Sequence, residues 1–213
     1  MTTMAASAHS STPDAEPRMG LRERKKLKTR IAIRDATYRL IREQGYDATT
    51  VEQIAEAAEV SASTVFRYFP TKEDIVLTDE DDPFIKAELR ARPADESWPD
   101  SIRYVMRKAI GLGIGKNLEE SRVRTQLMVD VPAVRSRMME SMSVSGRMLC
   151  EILAERTGRD PDSLEVRVYA MSFIGGLMET SLYWAENGHQ GDLADLVDRA
   201  LDVLENGLPV HNA

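Results

Sequence analysis

Apolar positions recur at helical spacing along nearly the whole chain, and no stretch alternates convincingly as a half-buried strand does. The sharpest local pattern lies between Thr49 and Lys72. Thr50 precedes Val51 and stands three residues before Gln53, a capping box that opens a helix with Val51, Ile54, Ala55 and Ala58 on one face. Glu59-Val60 forms a turn with Val60 inward, and Ser61 caps a second short helix through Tyr68. Pro70 ends that helix, since proline lacks an N–H and disfavours helix in the residue before it. Val65, Phe66 and Phe69 are expected to face the core, leaving Ala62, Ser63, Thr64, Arg67 and Tyr68 for another partner. A longer helix is expected ahead of the pair, from about Glu23 to Gln44, burying Ile33, Ala36, Thr37, Leu40 and Ile41 and stopping at Gly45. After Pro70, Thr71 caps a fourth helix with Lys72, Ile75, Val76 and Leu77.

Beyond the acidic run Asp79-Glu80-Asp81-Asp82 and Pro83, which marks a kink or break, the helical pattern continues. It predicts helices over Phe84–Arg92, Pro99–Lys116, Leu118–Val129, Pro132–Arg156, Asp162 or Ser163 to Glu186, and Asp192–Glu205. The helix before Glu186 is apolar nearly all round, which requires burial on more than one side. Gly175-Gly176 inside it costs roughly 1 kcal/mol each relative to alanine. Close approach at a subunit interface, or room beside a ligand cavity, would offset that cost. Gly111-x-Gly113-x-Gly115 follows a helical pattern with no strand before it, so a phosphate loop is a poor reading and a loosened helix end the better one.

The architecture expected is therefore all-α. It comprises a disordered leader over residues 1–20, a helix-turn-helix unit over 21–70, and a larger helical domain over 71–213. The leader is rich in small polar residues and proline and lacks an apolar signal core. A single cysteine, Cys150, excludes an internal disulfide and fits a reducing cytoplasm, and no apolar run approaches the roughly 18 residues of a membrane span.

Net charge is −7, which changes meaning once divided. Residues 19–78 carry 11 Lys/Arg against 9 Asp/Glu, whereas residues 79–213 carry 16 against 24. The acidic part would repel DNA and orient the basic part toward it. Arg22, Arg24, Lys25, Lys26, Lys28 and Arg30 stand against Glu23 alone, a cluster suited to phosphate or a minor groove. The outer face of the second short helix is small, hydroxylic and basic, which suits a DNA major groove.

These residues resemble the DNA-binding domain of TetR/AcrR-type bacterial transcription regulators. The resemblance is carried by Gly45-Tyr46, Thr50-Val51-Glu52-Gln53-Ile54-Ala55, Val60-Ser61-Ala62-Ser63-Thr64 and Phe69-Pro70-Thr71-Lys72-Glu73, over roughly residues 27 to 77. Glu59 and Ser63 depart from the pattern where glycine is frequent, and Phe66-Arg67 where two aromatics are frequent. Phe66 lacks the hydroxyl that meets a phosphate in relatives, which passes that contact to Arg67 or Tyr68. Base or backbone contact is expected from Ser61, Ala62, Ser63 and Thr64, and phosphate contact from Thr50, Arg67, Tyr68, Lys72 and the cations Arg24, Lys25, Lys26 and Lys28.

The resemblance implies a homodimer formed by the last two helices, with Gly175, Gly176, Leu193, Leu196, Val197 and Leu201 as interface candidates. It also implies a cavity for a small hydrophobic effector, acyl-chain or polycyclic. Phe84, Tyr104, Met106, Met128, Met138, Met142, Met171, Met178 and Trp184 are candidate lining, because methionine fills irregular shapes. Residue by residue, plain core is the commoner role for such side chains. Arg103, Arg107, Arg122 or Arg124 would meet an anionic end.

The function expected is a ligand-responsive regulator, a repressor released from a palindromic operator. The alternatives are a dimeric scaffold or a regulator without effector. No catalytic constellation, metal site or cofactor is expected: His9, His189 and His211 are scattered, and Cys150 lies on an apolar helix face.

Overall fold

The computed structural model describes residues 20–78, 82–111 and 118–208, which form ten α-helices. They are α1 (Leu21–Gln44), α2 (Val51–Ala57), α3 (Ala62–Tyr68), α4 (Lys72–Leu77), α5 (Asp82–Arg90), α6 (Trp98–Gly111), α7 (Leu118–Asp130), α8 (Pro132–Thr157), α9 (Leu164–Glu186) and α10 (Leu193–Asn206). The expected leader up to residue 19, the acidic residues 79–81 and the glycines at 113 and 115 lie outside the described residues.

Local chemistry sets the helix ends. Gly45 at φ 86° and Gly158 at φ 69° stop α1 and α8 in a region that glycine enters without strain. Pro132 opens α8 in its first turn, where a missing N–H costs nothing.

Three apolar clusters organise the chain. Ile33 of α1, Ile54 and Ala55 of α2, Val65 and Phe69 around α3, and Ile75 of α4 close the first. Each large aliphatic sealed there contributes about 1.5–3 kcal/mol relative to exposure. The biggest cluster joins Leu89, Trp98, Ile102 and Val105 to Leu149, Ile152, Leu153, Ala170, Phe173, Val197 and Leu201, so α5, α6, α8, α9 and α10 share one core.

The remaining cluster is a joint. Ile41 of α1 and Val76 of α4 meet Leu127 of α7 and Val134 of α8. Helix α4 therefore gives Ile75 to one core and Val76 to the next, and the expected boundary at residue 70 falls just before a shared packing unit. Polar contacts reinforce it. The Tyr38 hydroxyl donates to the Val76 carbonyl at 2.9 Å, Arg137 of α8 pairs with Asp74 at 2.6 Å, and Arg34 faces Glu120 at 3.9 Å.

Two expectations about α9 and α10 change. Val197 and Leu201 are 3% and 0% exposed within their own subunit, so they belong to its core rather than to a subunit interface. Leu193 and Leu196 are half-buried. A Cβ on Gly176 would meet Leu204 Cδ1 at 3.0 Å, so that glycine admits α10 of the same chain, whereas Gly175 has open space. One apolar stripe of α9 stays outward at Leu164, Val168 and Met171, and Val203 is exposed on α10.

Candidate DNA interface

The α2–turn–α3 unit is built from caps inward. Gln53 N–H donates to Thr50 Oγ1 at 3.3 Å while Thr50 N–H donates to Gln53 Oε1 at 2.9 Å, closing the expected box. Gln44 at the end of α1 donates to the same Gln53 oxygen at 2.9 Å, tying α1 to the start of α2. The turn passes through Glu59 at φ 56°, a left-handed conformation that disfavours a side chain, and this is the position where the resembling family often places glycine.

Ser61 starts α3 by accepting from Thr64 N–H at 3.2 Å. Its hydroxyl also lies 2.9 Å from both Ser63 Oγ and Thr64 Oγ1, so three hydroxyls gather at the exposed end of the helix. Val65 and Phe69 are sealed beneath them.

The outward stripe differs from expectation at three residues. Ala62 and Tyr68 lean against the first cluster, whereas Phe66, expected inside, is 50% exposed beside the exposed Ser63 and Arg67. Arg67 turns its guanidinium over the Tyr68 ring, 5.3 Å from the centroid.

Lys72 also differs. Its ammonium donates to the Tyr46 carbonyl at 2.8 Å and the Thr49 carbonyl at 2.9 Å, and lies 3.8 Å from the Tyr46 ring centroid. Two of its three donors are thus spent on stitching α4 to the α1–α2 connection. Burial lowers its pKa against the opposing pull of Glu73 and Asp47. Beside it the Tyr46 hydroxyl donates to Glu73; burial raises the tyrosine pKa and the Glu73 carboxylate raises it further.

The basic start of α1 runs alongside. Arg22, Arg24, Lys25, Lys26 and Lys28 are exposed, and Lys26 pairs with Glu23 at 2.9 Å. Arg22, Lys25, Lys26, Arg30, Arg67 and Phe84 line one open cleft of about 1520 Å³ between α1, α3 and α5.

The effector candidates do not gather in one place. Phe84 borders that cleft, Tyr104 is 44% exposed with Arg92 over its ring at 3.8 Å, and Arg107 reaches Asp195 and Asp198 of α10. Arg103 likewise bonds Asp202 at 2.7 Å. These are corrections: Tyr104 and Arg107 face outward, and both arginines hold α6 to α10. Met106 packs on the main core, Met128 on the joint, and Met138 and Trp184 are 5% and 1% exposed. Met142 and Met178 are half-buried. Trp184 Nε1 finds no acceptor among the described residues.

A three-helix unit whose third helix is short, capped and hydroxyl-rich, locked to a larger helical domain, defines a helix-turn-helix transcriptional regulator. The chain belongs to the TetR family: the model of bacterial regulatory proteins of that family matches residues 33–78, and that of the MftR C-terminal domain matches residues 97–209. It is 35% identical to the HTH-type transcriptional regulator TcmR of Streptomyces glaucescens, over 91% of this chain and 89% of that one. It is 26% identical to the fatty acid metabolism regulator protein of Bacillus subtilis (strain 168), over 84% and 94%. Among solved structures, FadR of Thermus thermophilus, a TetR-family repressor in complex with lauroyl-CoA, matches with TM-score 0.57 and 26% identity over 86% of this chain and 97% of that one. Bacillus subtilis FadR in complex with stearoyl-CoA matches with TM-score 0.56 and 27% identity over 84% and 99%. The chain is thus a DNA-binding regulator and not an enzyme. No described helix is long and apolar enough to cross a membrane.

Proposed function

We propose that this regulator is a homodimeric repressor that releases a palindromic operator when its C-terminal domain takes up a hydrophobic effector, with long-chain acyl-CoA as the favoured class. The observation that carries the reading is the joint at α4. The helix that follows the recognition helix is bonded on one side to the α1–α2 connection through Lys72 and on the other to α8 through Asp74 and Arg137. A shift of α8 relative to α7 therefore moves α4, and α4 moves the recognition helix. An effector acts by its differential affinity for the two arrangements, and an equal affinity would shift nothing.

Support for the effector class comes from the two acyl-CoA-bound FadR structures, which match over more than four-fifths of this chain. Support for the dimer comes from the exposed stripe Leu164, Val168, Met171 on α9, a contiguous apolar face that calls for cover. Two recognition helices related by a two-fold axis read half-sites about one DNA turn apart. Ser61, Ser63 and Thr64 then serve bases and backbone, and Arg67, Thr50, Arg24, Lys25, Lys26 and Lys28 serve phosphates. Lys72 chiefly holds the joint.

The test is a melting experiment with lauroyl-CoA against free coenzyme A. A rise of several degrees with the acylated form alone is expected, since ligand bound only to the native state stabilises it. No rise with any acyl chain length would favour the effector-less regulator.

A further inference from the structure

The recognition helix carries one large apolar side chain that its own chain leaves half uncovered. Phe66 is 50% exposed, while its neighbours Val65 and Phe69 are sealed at 0% and 1%. It lies one turn after Ser63 and next to Arg67, on the same outward stripe. The adjacent Arg67 turns its guanidinium over the Tyr68 ring instead. The hydroxyls of Ser61, Ser63 and Thr64 are bonded to one another at the start of α3, a full turn away.

A phenyl ring has neither donor nor acceptor, so it can satisfy no phosphate and no hydrogen-bonding base edge. Burying it against polar edges would leave those edges unpaired. The major groove offers a single apolar group on its floor, the C5-methyl of thymine. We infer that Phe66 is a specificity-determining residue that reads thymine: its ring packs on one thymine methyl in each operator half-site, while Ser63 and Arg67 serve the flanking polar positions. The two recognition helices of a dimer make the preference appear twice, at symmetry-related positions. A tyrosine at the same position would offer a hydroxyl to a phosphate, and a phosphate contact carries no sequence information. The inference rests on DNA binding by the family and not on the effector, which is absent from its test.

Duplexes are first selected from a random pool by the wild-type protein. Each thymine in a half-site is then replaced in turn by deoxyuridine, which removes the methyl and nothing else, and binding is measured for wild type and Phe66→Ala. At one thymine per half-site the change should weaken wild type about fourfold, the worth of one buried methyl-sized group, and leave Phe66→Ala unaffected. Phe66→Leu should keep most of the thymine preference, and both variants should keep the wild-type melting temperature because the side chain is exposed. Four results would overturn the inference. One is uracil tolerated at every position by wild type, another is an equal loss in both proteins, and the third is a selected pool with no preferred thymine. The fourth, a Phe66→Ala loss of the same size on selected and random DNA, would assign the ring to the sugar–phosphate backbone, and the reading role would fall.

Discussion

The two halves of this molecule are held together by different means. Helices α2, α3 and α4 are 7, 7 and 6 residues long, and each begins with a side-chain cap: Thr50, Ser61 and Thr71. Helices α8 and α9 run 26 and 23 residues, and neither has a side-chain cap. Short helices cannot stand on their own hydrogen bonds, so every cap counts and the start of each is fixed to the residue. Long helices are fixed by packing along their length and can slide in small steps where packing permits. The α2–α4 segment is thus fixed locally, residue by residue, and the proposed effector response places its two arrangements along the long helices α8 and α9.

Substitutions that break this division should rank by how much structure they reach. Val168→Glu, at a 57% exposed position on the α9 stripe, would bury an unpaired charge twice in a symmetric dimer. A monomer by light scattering and a loss of operator affinity of ~100-fold or more are expected; an unchanged dimer would move the interface elsewhere. Arg137→Ala removes the Asp74 bond between α8 and α4. Operator binding without effector should stay near wild type, while release by lauroyl-CoA weakens by roughly 5- to 10-fold, the scale of about 1 kcal/mol of lost coupling. Fluorescence anisotropy measures both.

Lys72→Ala sharpens the comparison from the other side. It leaves the carbonyls of Tyr46 and Thr49 without their donor, so urea unfolding should show a loss of about 1 kcal/mol. The salt slope of DNA binding should stay within about half a unit. A decrease by a full unit would return Lys72 to phosphate. Glu59→Gly should stabilise by roughly 1 kcal/mol, because glycine occupies φ 56° without the steric penalty of a Cβ; a lower melting temperature would refute the strain.

The smallest effect concerns acid. Hydrogen bonds from Arg92 and Ser101 hold the Glu96 carboxyl at about 2, below its ordinary 4.5. A depressed carboxyl contributes stability that is complete above about pH 4.5 and is lost as pH falls toward 2. Glu96→Gln should therefore flatten the acid limb of the stability curve in that window, and an identical limb would remove Glu96 from it.

Much of the reader was legible in the chain because its determinants are local. The Thr50–Gln53 box, the Ser61 cap and the Gly45 stop each need only residues within one turn. Phe66 and Tyr68 exchanged places because both fall at the margin of a 7-residue helix, where the docking angle against α1 and α2 decides which ring is covered. The Lys72 ammonium reads as a phosphate ligand in the sequence because its acceptors lie 23 and 26 residues away and leave no local trace. In the larger half, amphipathic spacing identified the buried face of α10 but not its owner, so Val197 and Leu201 read equally as interface or core. Arg107 reads as an anion-binding group for the same reason, since its aspartate partners sit on a helix about 90 residues away.

The measurement that tests the account most directly is a titration of lauroyl-CoA into the dimer bound to a duplex selected from a random pool, followed by anisotropy at near-physiological salt. The account predicts a palindromic duplex with half-sites about one helical turn apart, released by lauroyl-CoA and held in the presence of coenzyme A alone. Tight binding of lauroyl-CoA with the duplex still fully bound would contradict it, because the joint at α4 would then transmit nothing.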